Sequence, residues 1–316
     1  MKSNETDLSV REFMMTGFEI PRSFKTFLFV VFLITYVFTI SGNLLIIALV
    51  FTCQQLSNPM YFFLSNLAAC EILLTTNIIP NMLYILIVDQ SAISVSKCLV
   101  QFYFFGTAAT TECILLAVMA YDRYLAICRP LHYTSIMDHR FCVCISLCIW
   151  LVGFMATIGT IILMGRLQFC DSAIINHYFC DREPILSLSC SDVTDVKVVS
   201  LVFSFFITLW PFIAIIWSYG KIILTIVRMT TSNERHKTFS TCSSHLIVVG
   251  MYYGTLIVMY VVPSSGQSFN VNKLLSLLYI VVTPLLNPVI YSLRNLELRN
   301  ALKNVLQRYQ LIKPNF

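Results

Sequence analysis

The chain has 316 residues, 57% of them hydrophobic and only 12% charged, and its mean hydropathy is +0.77. Sixteen acids and 21 Lys/Arg are too few to cover the core that this much apolar sequence would form in water, where about 25% of residues carry charge. Lipid must therefore solvate much of the chain, which excludes a cytosolic enzyme, a secreted module and a disordered polymer; the net charge of +5 does not imply nucleic acid.

Met1 to Gly17 is polar and lacks the apolar core of a cleavable leader. It contains the sequon Asn4-Glu5-Thr6, a glycosylation site only if this end is lumenal. A helix crossing a bilayer needs about 20 mostly apolar residues. Thr26–Phe51 supplies one such run without charge, Pro59–Val88 a second with Glu71 alone, and Cys98–Tyr121 a third with Glu112 alone. Phe141–Gly165, Val198–Tyr219, Leu246–Val262 and Leu274–Leu293 are uncharged and bring the spans to seven. Pro80, Pro211, Pro284 and Pro288 predict kinks or broken turns, since neighbouring helices re-satisfy the freed backbone groups. Beyond the last span, Leu298, Ala301, Leu302, Val305, Leu306 and Tyr309 recur at helical spacing, with Arg299, Lys303 and Arg308 between them. That pattern predicts an amphipathic helix lying on the inner leaflet. The fold class is thus an all-α membrane protein: an extracellular segment 1–25, a seven-helix transmembrane bundle 26–293, and a cytoplasmic amphipathic helix and tail 294–316.

Charge placement sets the orientation. With the amino terminus outside, the inner face holds Arg123, Arg129, Arg140, Lys221, Arg228, Arg235, Lys237, Arg294, Arg299, Lys303, Arg308 and Lys313, twelve of the 21 basic residues, beside four acids. The outer face holds nine basic and ten acidic residues, and the remaining two acids lie in spans. The positive-inside rule favours this arrangement, with the amino terminus out and the carboxyl terminus in. Four of the twelve cysteines (Cys98, Cys170, Cys180 and Cys190) then fall on the oxidising side, where three pairings are open. The other eight read as small apolar residues at helix contacts.

On the third span Phe105, Ala109, Glu112, Leu116 and Arg123 share one face, running from an aromatic outer end through a buried acid to an arginine at the inner mouth. Asp122 beside Arg123 predicts an ion pair that a conformational change would release. No hydrolase or zinc-protease signature is present, and His132 and His139 fall in a loop, so the chain is not expected to be an enzyme. Intramembrane glutamates also serve transporters and channels, but those usually have internal repeats and more spans.

The run Met119-Ala-Tyr-Asp-Arg-Tyr-Leu-Ala-Ile-Cys-Arg-Pro-Leu-His-Tyr133 resembles the signature of vertebrate olfactory receptors, a branch of the rhodopsin-like G-protein-coupled receptors. Other blocks agree in order and spacing: Gly42-Asn43, Pro59-Met-Tyr-Phe-Phe-Leu-Ser-Asn-Leu67, Ser218-Tyr219, Lys237-Thr-Phe-Ser-Thr-Cys-Ser-Ser-His-Leu246 and Pro284-Leu-Leu-Asn-Pro-Val-Ile-Tyr-Ser-Leu-Arg-Asn295. The similarity covers Phe13 to Arg308, within the tetrapod-type branch. The chain departs from the pattern with Glu71 where Asp is usual, and with Met251-Tyr-Tyr-Gly254 where an aromatic pair starting with Phe is commoner. The realistic alternative within receptors is a non-olfactory member with a lipid or peptide ligand.

The resemblance implies disulfides Cys98–Cys180 and Cys170–Cys190. It implies a ligand pocket lined by Phe105, Gly106, Ala109 and Thr110 of the third span, Phe203, Ser204 and Ile207 of the fifth, and Tyr253, Leu256, Ile257 and Tyr260 of the sixth. The outer halves of those spans and of the seventh offer no carboxylate for an amine and no Arg or Lys for an acid, which predicts a small neutral odorant held with one hydrogen bond, from Tyr260 or Thr110. Glu71, Glu112, Asn43 and Asn287 map to an internal sodium site; no other cofactor is expected. Asp122, Arg123, Tyr124, Tyr219, His245 and Tyr291 map to the machinery that engages a stimulatory, olfactory-type heterotrimeric G protein and raises cAMP. The expected setting is the plasma membrane of olfactory sensory neuron cilia, with Asn4 outside.

Overall fold

The computed structural model describes residues 10–18, 20–170, 173–260 and 269–312; side chains at 233, 234, 236, 237, 240, 241, 258–260, 269–272, 293, 294, 296 and 308–312 lie outside the description, as do Asn4 and the side chain of Tyr260. In lipid no water can satisfy backbone N–H and C=O groups, so each apolar run closes its hydrogen bonds internally as helix. The long helices are α1 (Arg22–Thr52), α2 (Pro59–Val88) and α3 (Val95–Cys128); after the short α4 (Pro130–Ile136) comes α5 (His139–Met164). A loop carrying α6 (Arg182–Leu186) leads to α7 (Thr194–Arg228) and α8 (Ser232–Tyr260). The seventh span is built from α9 (Phe269–Leu277), one π-helical turn (Leu278–Val282) and α10 (Thr283–Arg294), and α11 (Leu296–Ile312) follows it.

Among the described residues six helical spans are long and apolar enough to cross a bilayer, and the sixth in chain order is shorter, apolar over Cys242–Ile257. The sequence expects that span to run to Val262, beyond the described residues. Ser94 caps α3 by accepting from Lys97 N (3.3 Å), and Asp138 caps α5 by accepting from Phe141 N (2.8 Å). Pro80, Pro211 and Pro288 sit inside helices that continue past them. The first helix begins at Arg22, four residues before the uncharged run.

The third span is the hub. It packs on α2, α5, α7 and α8, and 67% of its most apolar stretch is buried against 17% for α7, whose Phe206, Trp210 and Ile213 face outward. Gly106 permits the α3–α5 approach: a Cβ there would lie 2.6 Å from Thr157 Cγ2.

One end of the bundle carries structure that the all-helical pattern did not foretell. Strands β1 (Glu12–Thr16), β2 (Gln90–Ser94) and β3 (Ile174–Ile175) form a sheet in the order β2-β1-β3. The first pair is antiparallel, from Glu12 opposite Ser94 to Thr16 opposite Gln90, and the second is parallel, with Met14 opposite Ile174. Phe13 and Met15 point into the bundle and are fully buried, while Glu12 and Met14 point away. Phe13 packs edge-on against Phe169 at 5.0 Å, and Gly17 lies so close to α2 that a Cβ would meet Ile85 Cγ2 at 2.7 Å. Two disulfides reinforce this end, Cys98–Cys180 with Cα atoms 5.5 Å apart and Cys170–Cys190 at 5.8 Å. Lys273, one residue before the run read as the seventh span, is fully buried; its Nζ donates to Gly17 O and to Asn176 Oδ1, both at 2.6 Å. The opposite end, which carries Arg123, has no such sheet among the described residues.

Candidate functional site

Below the sheet, α3, α5, α7 and α8 leave a cavity of about 530 Å³. From α3 come Phe105, Gly106, Ala109 and Thr110, from α7 Phe203, Ser204 and Ile207, and from α8 Tyr253, Leu256 and Ile257. These are the residues the resemblance placed in a pocket, apart from Tyr260, which lies outside the described side chains. Residues missed from sequence also reach it. Ala156, Thr157 and Thr160 come from α5, where small and hydroxyl side chains one turn apart were a readable signal. Cys113 and Tyr252 line its deep end. Tyr252 Oη donates to Ala109 O at 2.9 Å, tying α8 to α3, and Thr157 Oγ1 donates to Gly153 O at 3.2 Å.

The expectation of a wall without charge needs correction. The spans bring none, but α6 sets Asp181, Arg182 and Glu183 along the cavity. The disulfide Cys98–Cys180 pins that loop to α3, so the neighbouring residues are carried over the bundle. Arg182 and Glu183 form an ion pair at 3.2 Å, and Asp181 Oδ1 accepts from Arg182 N at 2.7 Å. A hydropathy reading of spans alone cannot see a loop fold inward.

Toward the middle of the bundle Glu71 and Glu112 are buried and close enough to interact electrostatically. Asn287 Nδ2 donates to Glu71 Oε1, and Tyr279, aimed from the π turn, donates to Glu112 Oε2 at 3.3 Å. Glu71 Oε2, Glu112 Oε1 and Asn287 Oδ1 remain as buried oxygens without a hydrogen-bond partner among the described residues. Hard oxygen acceptors left over in a buried place fit an alkali or alkaline-earth cation. Asn43, also buried, donates to Thr39 O within its own helix at 3.0 Å.

At the far end Asp122 is fully buried and divides its oxygens. Oδ2 accepts from Arg123, at 3.1 Å from Nε and 2.5 Å from a terminal guanidinium nitrogen, and Oδ1 accepts from Tyr133 Oη at 2.8 Å. Tyr133 belongs to α4 and was quoted in the sequence motif without a role. Tyr219 Oη and His245 Nδ1 are 2.7 Å apart, while His245 Nε2 and Tyr291 Oη are buried without a partner among the described residues. The ring of Tyr124 packs on Trp217 at 4.9 Å. Asn295 closes this end: its Oδ1 accepts from Tyr61 Oη (2.8 Å), Glu297 N (3.0 Å) and Leu298 N (3.3 Å), so it starts α11 and ties it to α2. Leu298 and Ala301 of α11 are buried, whereas Glu297, Arg299 and Lys303 are exposed.

Seven apolar spans, a loop locked over a central cavity and an arginine held at the other end define a multi-pass G-protein-coupled receptor. The family model for olfactory receptors matches residues 32–309. Human olfactory receptor 11A1 is 45% identical over 304 residues, covering 96% of this chain and 95% of that protein. Human olfactory receptor 6B1 is 42% identical over 301 residues (95% and 96%), and mouse olfactory receptor 6B9 is 40% identical over 302 residues (96% of each). The chain belongs to the olfactory receptor family. It is a sensory receptor for odorants that signals through a heterotrimeric G protein, and not an enzyme.

Proposed function

We propose that this receptor binds small, neutral, largely hydrophobic odorants in the α3–α5–α7–α8 cavity and drives a stimulatory, olfactory-type G protein, raising cAMP. The observation that carries this reading is the cavity itself, about 530 Å³ with span walls that are aromatic, aliphatic or hydroxyl-bearing and never charged. A ligand small enough to be volatile has few atoms, which bounds its affinity near the micromolar range. Arg182 and Glu183 are paired to each other, and the third loop charge on the cavity, Asp181, has its carboxyl pushed above its ordinary value by burial, which favours the uncharged form.

The amino terminus faces outside the plasma membrane, in the cilia of olfactory sensory neurons. Support comes from the twelve basic residues assigned to the arginine side. This orientation puts both disulfides in an oxidising compartment and makes Asn4 a glycosylation site. Glu71, Glu112 and Asn287 would hold sodium in the resting state, an ion that would offset two buried carboxylates otherwise costing about 3 kcal/mol each.

The test is a panel of neutral, cationic and anionic odorants scored by cAMP in transfected cells. Neutral molecules should dominate the responses; a receptor activated chiefly by amines or carboxylates would overturn the ligand class. Sodium should lower resting activity in the wild type and not in Glu112→Gln. Equal insensitivity in both would remove the ion from the reading.

A further inference from the structure

Apart from the central cavity, the sheet-end turns of α2 and the start of α3 leave a groove of about 340 Å³, walled by Asn77 and Asn81 of α2 and by Ser96, Lys97, Val100 and Gln101 of α3. It straddles a border: Lys97 precedes the uncharged run that begins at Cys98, while Val100, inside that run, is 54% exposed. The amides of the groove bolt its walls together. Asn77 Nδ2 donates to Gln101 O (2.9 Å), and Gln101 Nε2 donates to Asn77 O (3.0 Å). Asn81 Nδ2 donates to Tyr178 O (3.2 Å) and Gln101 Oε1 accepts from Cys180 N (2.9 Å), so the same side chains hold the loop that covers the cavity.

These bonds use the Nδ2 groups of Asn77 and Asn81 and leave both Oδ1 atoms, which can only accept, without a donor among the described residues. The Lys97 ammonium and the Ser96 hydroxyl, on exposed residues, have no partner among them either. The two sets differ in depth. Gln101 lies one turn of α3, about 6 Å, beyond Lys97, and Asn77 is level with Gln101 through their paired bonds. Going inward, the groove offers a cation with a hydroxyl, then bare amide oxygens, with apolar Val100 beside them. A membrane lipid passes the same levels in the order phosphate, linkage, chains. A phosphate suits Lys97 and Ser96. The linkage decides the class: the esters of a glycerophospholipid would set acceptors against acceptors, whereas a sphingolipid carries an amide N–H and a hydroxyl at that level.

We propose that this groove binds a phosphate-bearing sphingolipid, its phosphate on Lys97 and Ser96, its amide N–H and hydroxyl donating to the Oδ1 atoms of Asn77 and Asn81, and its chains running past Val100. The side chains that hold the lipid also hold Tyr178 and Cys180, so occupancy braces the loop over the cavity and stabilises the folded receptor by mass action. Supply of the lipid from the outer leaflet rests on the orientation proposed above; its recognition does not.

The experiment follows displacement of a chain-labelled sphingomyelin from purified full-length receptor in detergent, with no odorant or G protein present, so its outcome is independent of the odorant reading. The competitors are sphingomyelin and a phosphatidylcholine of matched chains, which share one headgroup and differ in the linkage. Sphingomyelin should compete about tenfold better, the worth of one or two hydrogen bonds, and should raise the melting temperature more. Lys97→Ala should weaken both lipids by a similar factor and keep the preference between them. Val100→Trp, which fills the groove from an exposed position, should abolish displaceable binding while surface expression persists. Equal competition by the two lipids overturns the proposal, as does binding unaltered in Lys97→Ala or in Val100→Trp. Displacement by free phosphocholine at the concentration of the lipid would mark a soluble ligand and overturns it too. Epitope labelling of the amino terminus on intact cells checks the orientation separately, and a cytoplasmic amino terminus would overturn the outer-leaflet supply and not the recognition.

Discussion

The two ends of the bundle are held together by different means. At the sheet end, three strands, two disulfides and the buried amine of Lys273 join segments that lie far apart in sequence. At the arginine end, the polar contacts named between elements are single hydrogen bonds, Asp122 with Tyr133, Tyr219 with His245, and Tyr61 with Asn295 and Glu297, while the ion pair of Asp122 with Arg123 stays within α3. Covalent and multi-strand links come apart only at large cost, whereas single polar pairs exchange partners for a few kcal/mol. A receptor that must keep its cavity intact while opening elsewhere needs this asymmetry. Buried groups without a partner among the described residues occur along the whole bundle, at His245 Nε2 and Tyr291 Oη on the arginine side and at Thr107 Oγ1, Thr111 Oγ1 and Ser200 Oγ elsewhere, so the contrast between the ends rests on the links that are made.

The largest effect should come from Arg123→Ala. If the arginine end is the moving one, cAMP signalling should vanish while odorant binding to surface receptor persists; loss of binding as well would blur the division between the ends. Next is Cys98→Ser. Removing the tie between α3 and the loop should cost about 2–5 kcal/mol and deplete folded receptor, read by surface labelling and thermal melting. Normal surface levels would show that the strands alone suffice.

Tyr133→Phe sharpens the same contrast at smaller scale. Without that hydroxyl, Asp122 Oδ1 is left unsatisfied in a buried place at a cost of about 1–3 kcal/mol, and Arg123 is held as its remaining partner. Resting activity and maximal agonist response should both fall several-fold with potency little changed. An increase in resting activity would mean that Tyr133 restrains the closed state instead.

The smallest effect is a pH dependence at the sheet end. Burial, and then the charge of Lys273, push the His177 imidazole down from 6.5 to about 3. The folded loop therefore binds a neutral histidine while the unfolded chain protonates below about 6.5. The stability it lends is complete above that value and declines as pH falls toward about 3. Melting of solubilised receptor should drop by a few degrees between neutral pH and about pH 5, and less in His177→Phe. Identical slopes in the two proteins would remove His177 from the account.

The ease of reading differed between the ends for a physical reason. The spans were legible because lipid enforces long uncharged helices, and the cavity residues because the motif blocks fix their register on those helices. The sheet was not legible. Glu12–Thr16 reads Glu-Phe-Met-Met-Thr, with apolar Met14 on the outward face between buried Phe13 and Met15, so alternation is masked. Ile174–Ile175 is too short to show a period at all. Lys273 counted as an outer-face cation because composition assigns lysine to water, yet two carbonyl-type oxygens hold it inside. Cys113 reads as a small apolar residue from sequence alone, yet its thiol donates to Ile207 O, the carbonyl that Pro211, four residues on in α7, leaves without a helical donor.

The junction at Asn295 gives the arginine end mechanical reach. Its backbone is extended, and its side chain fixes the first turn of α11, so the helix leaves the seventh span at a set angle. Seventeen helical residues make an arm of about 25 Å. A small rotation of α10 is therefore magnified along α11, and the buried Leu298 and Ala301 in the first turns of that arm carry the movement back into the bundle through one asparagine junction.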